Sequence, residues 1–204
     1  MPRAGLTTPI VVREAADLAD EIGYDALTLT ALASRLNVAV PSLYKHVGGL
    51  DDLRRSVALM AVGELGSVIR AALHDNDARR ERSGPTGDQR AHENDLHALA
   101  TAYRRYALDH PGRYAATVRA APAGDREFQT ASDATLRTVF DVLEASGLRG
   151  DDVVHAARSL RAALHGFASL EAAGGFGLPQ DVGESFEWMV ETFEDGLAAR
   201  FDRA

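Results

Sequence analysis

The chain contains no cysteine. That excludes disulfides, thiolate metal sites and cysteine nucleophiles. No uninterrupted apolar run reaches membrane-spanning length, and the N-terminal MPRAGLTTP lacks the apolar core of a signal peptide. No stretch sustains the period-two alternation of a half-buried strand. Positive charge is in deficit: 22 Lys and Arg stand against 30 Asp and Glu, for a formal net charge of −8. The molecule as a whole therefore repels nucleic acid, and any such binding needs a local patch. These absences leave an all-α protein with no place in a membrane, expected to be cytoplasmic. With 204 residues, 46% of them hydrophobic, it is long enough to bury a real core in one or two domains.

What is present begins with residues 27–53. No Asp or Glu occurs between Asp25 and Asp51, whereas Arg35, Lys45 and His46 do. A basic island in an acidic chain is where a polyanion can dock. Residues 10–22 place Val11, Ala15, Leu18, Ala19 and Ile22 on one helical face, and Gly23 sits where a helix stops. Thr28 is placed to cap a second helix running to Leu36. Asn37 then takes the turn, since Asn tolerates positive φ. A third helix starts at Val40-Pro41, where the missing amide of Pro costs nothing, and runs to about Val47 before Gly48-Gly49.

This is the order of a helix-turn-helix: a support helix, a sharp turn and a recognition helix for the major groove. Leu32, Leu36, Val38, Leu43 and Val47 supply the small core. That leaves Val40, Pro41, Ser42, Tyr44, Lys45 and His46 outward. Lys45, His46 and the Tyr44 hydroxyl suit phosphates, while Val40, Pro41 and Ser42 suit base edges or a thymine methyl. Thr28 and Thr30 suit phosphate through hydroxyls and free amides, and Arg35 through its charge. The same pattern also fits two short helices of an ordinary bundle.

Beyond it, the periodicity predicts a long helix over 51–73 and a polar loop over 74–95, in which Arg79-Arg80-Glu81-Arg82 is solvated. Helices follow over about 95–109, 112–120, 125–146, 151–173 and 181–201, about nine in all. Gly174 to Pro179 separates the last two. The expected division is a three-helix helix-turn-helix domain over 1–50 and a helical ligand-binding and dimerisation bundle over 51–204. Leu160, Leu164 and Phe167 on one terminal helix, with Phe186, Val190, Phe193 and Leu197 on the other, form apolar stripes. They are expected to pack against a second copy. Within the body, Tyr103, Phe128 and His165 are candidate ligand residues, His165 because it precedes a Gly in an otherwise apolar helix. Arg119 is a further polar residue in apolar surroundings. The seven His offer no pair at i,i+3 or i,i+4, no Ser-His-acid set is recognisable, and no glycine-rich phosphate loop follows a strand. No metal site, cofactor or catalytic residue is expected.

Residues 10–53 resemble the N-terminal domain of the TetR family of transcriptional repressors. The resemblance rests on Thr28 and Ala33, then Asn37-Val38-Ala39, then Leu43-Tyr44-Lys45-His46-Val47, then Leu50-Asp51-Asp52-Leu53. Four positions depart from the family pattern. Asn37 replaces the turn Gly, Ala39 a capping Ser, Val47 a Phe, and Leu50 a Lys that helps hold a phosphate. Two phosphate anchors are thus missing, which implies a shallow salt dependence or compensation from Arg3, Arg35 or helix amides. Leu164 to Glu171 with Gly174-Gly175-Phe176 is similar to a regulatory domain named for a Trp-His-Gly signature, with Arg161 where the Trp is expected. The resemblance implies a homodimeric repressor that reads a near-palindromic double-stranded DNA operator. Such a repressor answers to a small, largely apolar effector. The alternative is a helical small-molecule binding protein that has lost DNA binding.

Overall fold

A computed structural model describes the backbone of residues 5–83, 88–118 and 123–201. Side chains are described for these residues except 82–94 and 200–201. Arg3 and Arg119 lie outside the described residues. Among the described residues there are nine α-helices and no strand. They are α1 (Thr8–Ile22), α2 (Leu29–Leu36), α3 (Val40–Leu43), α4 (Leu50–Ser83), α5 (Asp88–Asp109), α6 (Pro111–Thr117), α7 (Arg126–Ala145), α8 (Asp151–Ala172) and α9 (Val182–Phe201).

Local chemistry sets most boundaries. Pro lies in the first turn of α1, α3 and α6, where amides have no intrahelical acceptor. Asp51 and Asp52 begin α4, and Asp151 and Asp152 begin α8, on the side of each helix dipole that favours negative charge. Gly23 leaves α1 at φ 90, a conformation costly for any side chain.

The described residues of the polar stretch 74–95 are helical, which corrects the expected loop. α4 runs unbroken for 34 residues to Ser83, and α5 already begins at Asp88. Lack of large apolar side chains removes the packing signal, but Ala78, Arg79, Arg80 and Glu81 all favour helix. Long-range polar contacts supply the rest. The Asn76 amide donates to Asp95 at 2.7 Å and Arg80 Nη2 donates to the same carboxylate at 2.8 Å. α4 is long and apolar enough to cross a membrane by length and composition alone, with an 18-residue window of mean hydropathy 1.5. Its Leu53, Val57, Ala61, Leu65 and Ile69 are instead buried in protein.

The chain forms two compact units. One comprises residues 1–64 and 109–132, the other 65–108 and 133–204. The first therefore includes α6 and the start of α7 besides the three N-terminal helices. Its core joins Val11, Ala15, Leu18, Leu27, Leu32, Leu43, Val47, Leu53 and Val57 with Ala116 and Phe128. In the second unit α8 and α9 turn Leu160, Leu164, Phe186 and Val190 inward, all buried.

Candidate nucleic-acid interface

The reading element is assembled from short-range signals. The Thr28 hydroxyl accepts the Ala31 amide at 3.1 Å and starts α2. Asn37 ends it in the left-handed region at φ 52, ψ 48, and its amide returns to Ala33 and Ser34 carbonyls. Ala39 then precedes α3 with no side-chain cap. The missing hydroxyl accompanies a recognition helix of only four residues, Val40–Leu43, shorter than the span to Val47 that the sequence implied. Tyr44 to His46 continue as a turn, closed by the Val47 amide donating to the Leu43 carbonyl at 3.0 Å. From α1, the Thr8 hydroxyl donates to the His46 carbonyl at 3.1 Å and holds the end of this turn.

Leu43 and Val47 face the core, which turns their neighbours outward. Tyr44 is 57% exposed. Pro41 and Lys45 are exposed, and Val40, Ser42 and His46 half-buried. Thr28 and Thr30, at the start of α2, are exposed as well. The residues read from sequence as the outward set thus lie together on one short segment and the helix start beside it.

Arg35 does not join them as a free cation. Its Nε donates to Glu14 at 2.9 Å, and its Nη1 donates to both oxygens of Glu21 at 2.8 and 2.9 Å. Hydrogen bonds to Glu14 and then Glu21 hold its pKa above the ordinary value. Both acids lie on α1, outside the acid-free window, so the sequence gap hid the neutralisation. Two more arginines of this unit are also engaged. Arg54 Nη2 donates to the carbonyls of Asp25 and Leu27, at 2.8 and 3.1 Å. Arg55 Nη2 donates to Asp125 at 2.7 Å and to Glu127 at 2.9 Å. Hydrogen bonding to Arg55 and to the Phe128 amide lowers the Asp125 pKa.

The candidate ligand residues are not brought together. Phe128 is a core residue of the first unit, packed with the reading helices, which corrects its assignment to a ligand site. Tyr103 and His165 belong to the second. Tyr103 is buried, and His165 is half-buried with its Nδ1 3.4 Å from the Ser169 hydroxyl. A Cβ built on the adjacent Gly166 would meet no atom within 4 Å. Nearby in the same unit, Arg104 makes a two-pronged bond to Glu171 at 2.7 and 2.6 Å, with its guanidinium over the Phe186 ring at 4.6 Å. No group of three metal-ligating side chains occurs among the described residues.

The terminal helices divide the apolar stripes between an inward and an open face. Leu160, Leu164, Phe186 and Val190 are buried in their own protomer, while Phe193 and Leu197 of the same stripe line the groove between α8 and α9. Phe167 stacks at 4.8 Å from Phe176 and 5.2 Å from Phe186, again within the chain. The open face is the adjoining one. There α8 and α9 enclose a groove of about 430 Å³ with Ala156, Ser159, Phe193 and Gly196 in its lining, and Trp188, 70% exposed, in its wall. Periodicity shows that an apolar stripe exists, but cannot show which element covers it.

The chain is similar to known proteins at both levels. Residues 11–57 match the model for bacterial regulatory proteins of the tetR family, and residues 96–193 match the tetracyclin repressor-like C-terminal domain. The uncharacterized HTH-type transcriptional regulator YobS of Bacillus subtilis (strain 168) is 32% identical over 96% of this chain and 95% of its own. The uncharacterized HTH-type transcriptional regulator Rv0681 of Mycobacterium tuberculosis is 36% identical over 84% of this chain and 72% of its own. Among solved structures, the Streptomyces coelicolor TetR family protein ActR in complex with (S)-DNPA superposes with a TM-score of 0.65. It is 20% identical, over 96% of this chain and 98% of that one, a likeness of fold. With a helix-turn-helix in place, both parts matched and one relative aligned over nearly its full length, the chain belongs to the TetR family of bacterial transcriptional regulators.

Proposed function

We propose that the chain is a cytoplasmic repressor that reads a near-palindromic operator as a homodimer and answers to a small, largely apolar effector. The observation that carries this is the outward ridge of Pro41, Ser42, Tyr44 and Lys45 over an inward Leu43 and Val47. A single ridge reaches one half-site, whereas two, held about one helical turn apart, read a palindrome and bind far more tightly. The second copy is assigned to the α8–α9 face. Trp188 and the groove beside small residues lie on one surface, so a two-fold axis can place each knob in the other's hole. The effector is assigned to the second unit, with the buried Tyr103 and half-buried His165 as orienting groups. ActR, a protein of the same fold, holds a small molecule in its crystal structure. The His165-Gly166 pair is what supports placing the chain near the Trp-His-Gly branch.

Fluorescence-anisotropy titration with duplex from upstream of its own gene tests the reading. Lys45→Ala should weaken binding and flatten the slope of log affinity against log salt by about 1 per protomer. Tyr44→Phe should weaken binding while leaving the slope near that of the parent. Unchanged affinity in both removes these residues from the interface. If no duplex shows salt-dependent binding, the chain is instead a helical small-molecule binding protein that has lost DNA affinity, which the uncapped Ala39 and the Leu50 position would explain.

A further inference from the structure

We propose that Arg35 is a positioning residue for operator recognition: it fixes the support helix against α1 by bridging Glu14 and Glu21, and meets no phosphate. The proposal rests on the operator-binding reading above and assigns a role within it. Glu14 and Glu21 are seven residues apart, two turns along one face of α1. Arg35 lies in the last turn of α2 and bonds to both. That geometry pins the C-terminal end of α2 along the α1 axis.

The pinning adds a directional polar constraint to the apolar packing, in which Leu29, Ala31, Leu36 and Val40 lie half-buried against the core that Leu32, Ala33 and Leu43 enter. Of eight residues in α2, Leu32 and Ala33 alone are buried, and α3 contributes only Leu43. α3 has no side-chain cap and hangs from α2 through the Asn37 turn. The direction of Pro41, Ser42 and Tyr44 therefore depends on where α2 ends, together with the buried Leu43 and Val47 and the Thr8 bond to the His46 carbonyl at the other end. Arg35 also carries no spare charge for DNA. Two carboxylates surround one guanidinium, so the cluster is net negative and neutralises no phosphate, releasing no counterion from the DNA.

Two duplexes serve as probes. One is an approximately 30-bp duplex selected from a random library by the parent protein, and the other is its scrambled counterpart, each titrated between about 50 and 200 mM KCl. Arg35→Met keeps the stem and removes the fork. A positioning role predicts about tenfold weaker binding to the selected duplex at every salt concentration, with the parent's salt slope and unchanged binding to the scrambled one. A slope flatter by about 1 per protomer, with both duplexes losing affinity, overturns it. Arg35→Lys decides the case if the Met variant does not fold. A single ammonium cannot reproduce the fork to both acids, so positioning predicts the same loss of selectivity. Parent-like affinity in Arg35→Lys overturns the proposal. Failure of the parent to bind any duplex overturns the operator reading itself.

Discussion

Gly112 lies so close to Ala19 that a Cβ on it would fall within 3.0 Å of the Ala19 carbonyl oxygen and carbon and the Asp20 amide nitrogen. Only glycine permits this approach, and it seats the start of α6 directly on α1. Around it the Asp20 carboxylate accepts the Arg113 amide at 2.8 Å and lies 3.1 Å from His110 Nδ1. The Arg113 guanidinium also pairs with Asp17. α6 is thereby part of the unit that carries the reading helices.

Gly112→Ala should accordingly destabilise the protein by about 1–3 kcal/mol or more, because the neighbour it meets is backbone and cannot rotate away. Urea denaturation checks this, and a change below about 0.5 kcal/mol, within the range of ordinary surface substitutions, would contradict the close approach.

Asn37 occupies a left-handed conformation that Asn and Gly accept at least cost. Asn37→Ala should cost about 1 kcal/mol, and Asn37→Gly should be nearly neutral or slightly stabilising. Thermal denaturation of the two variants gives the order directly. An Ala variant as stable as the Gly variant would show that the turn tolerates a different φ.

Leu164 and Trp188 separate protomer stability from association. Leu164 is 2% exposed, so Leu164→Ala should lower stability by about 2–5 kcal/mol through loss of buried methyl groups and the cavity left. Its association per folded protomer should not change. Trp188→Ala should keep the fold and shift sedimentation equilibrium from dimer towards monomer. A dimer indifferent to Trp188 would place the interface elsewhere.

Asp125 gives stability an acid limb. It caps α7 by accepting the Phe128 amide at 3.1 Å, and Arg55, the larger cause, lowers its pKa in the folded protein below the ordinary 3.8. A depressed carboxylate contributes stability above its unfolded pKa and loses it as pH falls through the folded one. The difference between parent and Asp125→Asn should therefore be flat above about pH 5 and shrink below it. Urea midpoints measured across that range check the sign; a difference that widened on acidification would contradict it.

The helical elements were legible because their signals are local. Thr28 caps its own first turn, Asn37 reverses its own chain, and Pro41 needs only its own first-turn position, so the helix-turn-helix can be read from the one segment between Thr28 and Val47. The outward set Pro41, Tyr44 and Lys45 follows from the inward Leu43 and Val47 by helical geometry alone. The extension of α4 past residue 73 was not legible in the same way. Its last turns hold no large apolar side chain, and Asp95, which receives Asn76 and Arg80, is distant in sequence.

By itself the sequence determined an all-helical chain and the reading segment, since backbone propensity, caps and one amphipathic period act over a few residues. Only the tertiary structure decided that Arg35 belongs to Glu14 and Glu21, that α6 packs on α1, and that Trp188 is exposed while Leu164 is buried. Each of these depends on which distant surface reaches a side chain first, and a stripe of apolar or charged residues does not encode what covers it.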